Sequence, residues 1–219
     1  MIPPPPELRS DRLWAVWSEL LANGEKAEEL AAGLTPEQLR WRPEPGRWSV
    51  GECLDHLVLT GEAYLEVLDE AIEEGRRRGV RAEGPYRRSL VGRFLTWTLE
   101  PPPRLKVPAP EVIRPRASGA DGSAGGRAAG RPARAGASDE GDGPGPADPL
   151  PRFLALRARL GRRLEAADGL DLGRIRVTSP FIAFARFDLG SAFRMVAAHE
   201  RRHLWQAGRV LEAEGFPSA

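Results

Sequence analysis

The amino-acid sequence predicts an all-α fold, a four-helix bundle, on three observations. Four long segments carry apolar residues at helical spacing. Two of the helix starts are written out as capping boxes. No run shows sustained strand alternation bounded by turn signals, and Ile175 and Val177 are too brief to count as one.

Leu8 to Leu21 places Leu13, Trp14, Trp17, Leu20 and Leu21 at helical spacing; Gly24 weakens the pattern, and Ala27, Leu30, Ala31 and Leu34 resume it. Thr35-Pro36-Glu37-Gln38 is a compact helix start, with Thr as N-cap, Pro first and Gln closing the box; Pro43, Pro45 and Gly46 end that piece. Ser49-Val50-Gly51-Glu52 opens the longest helix, expected to run to about Glu74. A shorter apolar helix is expected over Ser89 to Leu99, stopped by Pro101-Pro102-Pro103. Pro151 to Ala167 carries Phe153, Leu156, Leu160 and Leu164 on one stripe, and Asp188 caps a last helix reaching about Glu214.

The 219-residue length suits one domain with an insert. Lys+Arg is 32 against Asp+Glu 31, a net charge of +1, so long-range attraction to nucleic acid or to an anionic membrane is not expected. A single cysteine excludes an intramolecular disulfide and a Cys-rich zinc site. The start, Met1-Ile2-Pro3-Pro4-Pro5-Pro6, is stiff polyproline chain rather than a signal peptide, and no apolar run is long enough to span a membrane; a cytoplasmic location is the expectation. From Ala117 to Ala147 no Val, Ile, Leu, Met, Phe, Trp or Tyr occurs. Such a stretch has nothing to bury against its ordering entropy and reads as a disordered loop. The chain thus divides into a proline-rich arm (1–7), a first part of the bundle (8–116), a Gly/Ala/Pro/Arg-rich insert (117–148) and a second part of the bundle (149–216).

The three histidines are the residues that point to chemistry. On a wheel of about 100° per residue, Asp55, Glu62, Glu66, Asp69 and Glu73 form an acidic stripe, expected to face solvent. His56 lies away from it, beside Thr60, Ala63 and Val67, and is expected to point inward. In the last helix Ala192, Met195, Val196, His199, His203, Gln206 and Val210 share one stripe. His199 and His203, at i and i+4, can reach one metal ion; a third imidazole from a facing helix makes a three-histidine site with a coordination position open to water or substrate. Neutral imidazole suits zinc, nickel, iron or copper, so residue type does not choose the metal. A histidine on an apolar face is also commonly a core residue with a satisfied hydrogen bond.

Leu34-Thr35-Pro36-Glu37-Gln38-Leu39 followed by Arg47-Trp48-Ser49-Val50-Gly51-Glu52-Cys53-Leu54-Asp55-His56-Leu57 resembles the start of the second helix in the DinB-like superfamily (a name shared with an unrelated DNA polymerase). His199-Glu200-Arg201-Arg202-His203-Leu204-Trp205-Gln206 resembles that family's C-terminal H-x-x-x-H helix. The likeness covers residues 8 to 104 and 149 to 214; the insert has no counterpart in it. It implies an up-down-down-up bundle, often a homodimer, binding one divalent metal through His56, His199 and His203. Zinc is the leading metal, with nickel, iron or manganese as alternatives. Some relatives are thiol-dependent S-transferases or isomerases using a low-molecular-weight thiol; many have no assigned reaction and are described as metal-dependent hydrolases. The expected partner is a small-molecule substrate.

His199-Glu200-x-x-His203 also fits the H-E-x-x-H pattern of zinc metalloproteases, where the Glu is general base. Only 16 residues follow His203, and Glu212 lies on the far face, so a downstream third ligand is poorly provided. Glu200, about 100° round from His199, reads either as the partner of a nearby Arg or as a group behind the metal ligands that accepts a proton. Gln206 reads as a group that satisfies or orients polar atoms at the site. Cys53 reads as a small core residue, and Trp48 as an apolar staple at the start of its helix. The arginine clusters 76–78, 87–88 and 162–163 read as solvated helix ends and faces; one of them could bind an anionic cosubstrate, and the sequence does not say which. A non-catalytic, stress-related bundle that binds metal or a partner is the competing reading. Its discriminator is a fourth coordination position closed by Glu200, Gln206 or Cys53 rather than open.

Overall fold

The computed structural model describes residues 7–82, 89–102, 148–182 and 184–218. It contains α1 (Asp11–Ala31), α2 (Pro36–Arg40), α3 (Val50–Arg77), α4 (Leu90–Leu99), α5 (Pro149–Ala167), strands β1 (Arg176–Thr178) and β2 (Arg186–Asp188), and α6 (Leu189–Leu211). The 117–148 insert, except Asp148, and residues 1–6 of the N-terminal arm lie outside the described residues.

Both capping boxes form. Thr35 accepts from the backbone of Gln38, and Ser49 from that of Glu52, with the Gln and Glu side chains reaching back. Asp148 and Asp188 cap α5 and α6, and Ser89 caps α4. The helix expected to be weakened at Gly24 is instead continuous from Asp11 to Ala31. At Gly24 a side chain would collide with the Arg157 guanidinium from α5, so the missing Cβ leaves the space that the guanidinium fills. The small antiparallel pair β1–β2, with Val177 opposite Phe187, is an addition to the expected elements. Its strands are three residues each, below the length at which alternation shows in a sequence.

Two apolar clusters make the core. One gathers Leu13–Leu20 of α1, Tyr64–Ile72 of α3, Leu156–Ala167 of α5 and Leu189–Ala197 of α6. The other gathers Ala27–Ala31 of α1, Val50–Val58 of α3, Leu150 and Phe153 of α5, and Leu204–Val210 of α6. Helices α1 and α6 run from the first cluster to the second; α3 and α5 run from the second to the first. The bundle is therefore up-down-down-up, with α3 and α5 parallel neighbours.

That parallel pairing corrects one expectation. The acidic stripe of α3 does not simply face solvent: Asp55, Glu62 and Asp69 meet Arg152, Arg159 and Arg163 of α5 in a ladder of ion pairs. The partners' numbers rise together, as parallel helices require. Each exposed pair contributes only ~0–1 kcal/mol, so the ladder sets register more than it stabilises.

Between the clusters lies a polar layer, one residue per main helix: Asn23, Thr60, Arg157 and Glu200, all buried. Asn23 Nδ2 donates to the Ala197 carbonyl at 3.0 Å and to Glu200 Oε2 at 2.9 Å. Thr60 Oγ1, Arg157 Nε and Glu200 Oε1 have no hydrogen-bond partner among the described residues.

Core and ladder make opposite predictions. Phe153→Ala, at a fully buried ring, should cost about 3–5 kcal/mol by chemical denaturation. Arg152→Ala should cost less than about 1 kcal/mol in the same measurement.

Candidate metal centre

Two helix starts place the histidines. On α3, Ser49 Oγ accepts from Glu52 N at 3.1 Å while Glu52 Oε2 accepts from Ser49 N at 2.9 Å. Arg42 donates Nε to the same carboxylate at 2.8 Å. This first turn is thereby held, and His56 stands in the next one. On α6, Asp188 accepts from Ser191 N at 2.8 Å and from Ser89 N and Oγ at 2.9 and 2.7 Å. One carboxylate thus caps α6 and ties the start of α4 to it.

The antiparallel contact of α3 with α6 then brings the three imidazoles together. Ring centroids are 5.0 Å apart for His56–His199, 4.5 Å for His56–His203 and 4.6 Å for His199–His203. One ligating nitrogen from each lies within 4.8 Å of the others. His56 Nε2 and His199 Nε2 are 3.3 Å apart. Two nitrogens each 2.0–2.1 Å from a tetrahedral ion stand roughly 3.3–3.4 Å apart, so this pair already has the spacing of zinc ligands. His203 Nδ1 is buried with no hydrogen-bond partner among the described residues, a donor atom that a cation would satisfy. The residues present fit a divalent metal.

The chemical state of the rings fits as well. His199 is held down to about 3, first by burial, then by His56 and the Arg202 guanidinium. His203 is pushed well below its ordinary value, again first by burial and then by His199, His56 and Arg202, with the side chain of Gln206 acting in the opposite direction. Neutral imidazole is the form that ligates metal.

The sequence profile of the DinB superfamily matches residues 19–207. This chain belongs to the DinB superfamily. No curated protein and no solved structure matches it.

Within this DinB-superfamily chain the other expected site residues take distinct places. Gln206 stands near His203, where its side chain opposes the fall in that ring's pKa. Glu200 is buried on the flank of α6 that meets α1, its carboxyl accepting from Asn23. Burial raises Glu200 to about 8, opposed by Asn23, Arg157 and Arg201. Cys53 lies in the core beside Leu54 and Leu57, its thiol pushed far up first by burial and then by Glu52. A thiol so held is neither nucleophile nor ligand near neutral pH.

Trp48 was expected only as a staple. It also walls the site: its ring lies 4.8 Å from His56 and stacks on His203 at 5.5 Å and 25°. No helical spacing could reveal this, because Trp48 precedes the N-cap. Arg157 was legible in principle, since it falls four residues after Phe153 on the apolar stripe of α5.

Stability should follow pH in two opposed ways in metal-free protein. The buried histidines bind fewer protons folded than unfolded below their ordinary 6.5, so their contribution is lost as pH falls from about 6.5 toward 3. Glu200 binds more protons folded than unfolded between 4.5 and about 8, so its contribution is lost as pH rises through that window. Glu200→Gln should therefore gain on wild type by an amount on the order of 2 kcal/mol between pH 5 and 8, read from urea unfolding after chelation. A constant difference would contradict the assignment.

Proposed function

We propose that this protein is a divalent-metal-dependent enzyme acting on a small-molecule substrate, most simply a thiol-dependent S-transferase or a related metal-dependent hydrolase. The observation that carries the reading is the convergence of three imidazoles with one edge of the cluster reaching solvent: His56 and His203 are buried, while His199 is partly exposed. Three neutral ligands at an accessible edge are the donor set of a catalytic rather than a closed structural site. Zinc is the leading metal on this donor set, with nickel, iron or manganese as alternatives.

His56, His199 and His203 would hold the ion. When bound, it would supply Lewis acidity, lowering the pKa of a thiol or water entering the open position. The chain's own residues prepare that position. Burial and the neighbouring positive groups hold His199 and His203 unprotonated. Gln206 stands beside His203 and acts on its titration, a place from which it would orient the ring. Trp48 covers the face formed by His56 and His203 and keeps water from it. We assign Glu200 to the support of α6 through Asn23. The bond to Asn23 gives no support to the protease reading of the H-E-x-x-H pattern, which needs that carboxylate at the metal.

Untagged protein purified without chelator should carry near-stoichiometric metal by elemental analysis, and His203→Ala should carry little. Wild type that stays metal-free after incubation with zinc, nickel and manganese would end the reading. Metal at about 1,000 times its Kd should raise unfolding free energy by roughly 4 kcal/mol, seen as a higher Tm that His203→Ala does not share. Loaded protein is expected to consume a low-molecular-weight thiol with a generic electrophile, or to hydrolyse a member of an ester and amide panel. Inactivity in both would remove the catalytic part.

A further inference from the structure

The turn between β1 and β2 is built to hold two apolar side chains away from the core. Ser179 N donates to the Ala185 carbonyl at 2.9 Å, and Ala185 N to the Ile182 carbonyl at 3.1 Å. Ser179 Oγ accepts from Phe181 N at 3.2 Å and from Ile182 N at 3.0 Å. Phe181 turns inward and meets Tyr64 of α3 edge-on, with ring centroids 5.7 Å apart. Ile182 and Phe184 are instead 51% and 96% exposed. Phe184 stands on left-handed backbone, at φ 63°. That conformation strains a bulky residue and suits glycine. A ring this exposed adds no core packing to offset the strain.

The flanks of the turn are cationic. From Leu172 to Phe187 the chain carries Arg174, Arg176 and Arg186 and no acidic residue. All three are exposed, and none makes an ion pair or a side-chain hydrogen bond with a described residue. The two flanking acids are engaged elsewhere. Asp171 accepts from the backbone of Gly173 and Arg174, and Asp188 from that of Ser89 and Ser191. Helix α4, which packs beside β2, has the same character: Leu90, Val91 and Phe94 are exposed, Arg93 is exposed among them, and no acid occurs from Ser89 to Leu99. The chain-wide net charge of +1, which predicts no attraction to an anionic surface, averages this local excess away.

We propose that the β1–β2 turn, with the adjoining face of α4, is a docking surface for an anionic lipid membrane. Ile182 and Phe184 enter the boundary of the acyl chains, while the guanidiniums stay level with the lipid phosphates. Two features select this occupant. Arginines with no acid among them complement a surface of uniformly negative charge. A projecting ring enters a fluid layer without needing a matching pocket. The attachment is peripheral, since no helix among the described residues is long and apolar enough to cross a membrane. It does not depend on the metal reading.

Co-sedimentation of the full chain with vesicles tests it, using phosphatidylcholine alone and equimolar phosphatidylcholine and phosphatidylglycerol. Wild type should sediment with the mixed vesicles, far less with the neutral ones, and less as salt is raised. Phe184→Gly should weaken binding about tenfold or more while melting close to wild type, because glycine suits the left-handed backbone. Arg176→Gln and Arg186→Gln should each weaken binding to the mixed vesicles about fivefold. A Phe184→Gly variant that melts lower yet binds as wild type when folded would show a merely structural ring and overturn the proposal. Equal binding of wild type to both vesicles would overturn the role of the arginines and the choice of an anionic membrane. Folded wild type that sediments with neither would overturn the docking and leave this surface to a protein. Should Phe184→Gly fail to fold, Phe184→Asn, which also tolerates left-handed backbone, and the arginine variants still decide.

Discussion

The antiparallel contact between α3 and α6 is the constraint on which the rest of this structure depends. It is an apolar contact: Val50, Cys53, Leu54 and Leu57 against Leu204, Ala207 and Val210 at one end, and Leu65 and Leu68 with Phe193 and Val196 at the other. Its register decides which residues stand level, and it stands His56 level with His199 and His203. Histidine supplies none of the force that holds the helices together. Apolar burial does that, at roughly 25 cal/mol per Å². The imidazoles are carried into place by their neighbours, and the same low-polarity surroundings that drove the packing favour the neutral form of His199 and His203.

Charged residues then decide how the remaining helices sit around that contact. The ladder of Asp55, Glu62 and Asp69 with Arg152, Arg159 and Arg163 matches α5 to α3 in parallel. Arg201 binds Glu19 of α1 and Glu100 beyond α4 at once, drawing both toward the segment of α6 that carries the ligands. Asp188 does the same for the start of α4. None of these interactions is strong alone in partly exposed positions. Together they exclude alternative rotations of α1, α4 and α5 that an apolar core by itself would tolerate.

The polar layer of Asn23, Thr60, Arg157 and Glu200 runs against simple core building. Buried polar atoms cost free energy, and three atoms here lack a protein partner among the described residues. The layer lies next to the histidines in sequence and in the bundle, with Glu200 following His199 and Thr60 one turn beyond His56. It interrupts the core at the level of the candidate site, so one band across the bundle holds both the metal ligands and the buried ionisable groups. Such departures from core economy are where function is expected to lie. Trp48 completes the band by closing one face of the histidine cluster.

What was legible without coordinates was whatever depends on local spacing. The amphipathic periods declared the four main helices, and Thr35-Pro36-Glu37-Gln38 and Ser49-Val50-Gly51-Glu52 marked two helix starts to the residue. The i, i+4 pair His199 and His203 on an apolar face, with His56 inward on another helix, was readable because a helix converts separation along the chain into direction. Tertiary structure alone decided the rest. That the α3 acids face α5, that Gly24 accommodates Arg157, that Trp48 stacks on His203 and that Arg202 edges the site are relations between segments distant in the chain. Periodicity within one helix says which way a side chain points. It says nothing of what another helix places opposite, because that depends on the packing free energy of the whole bundle.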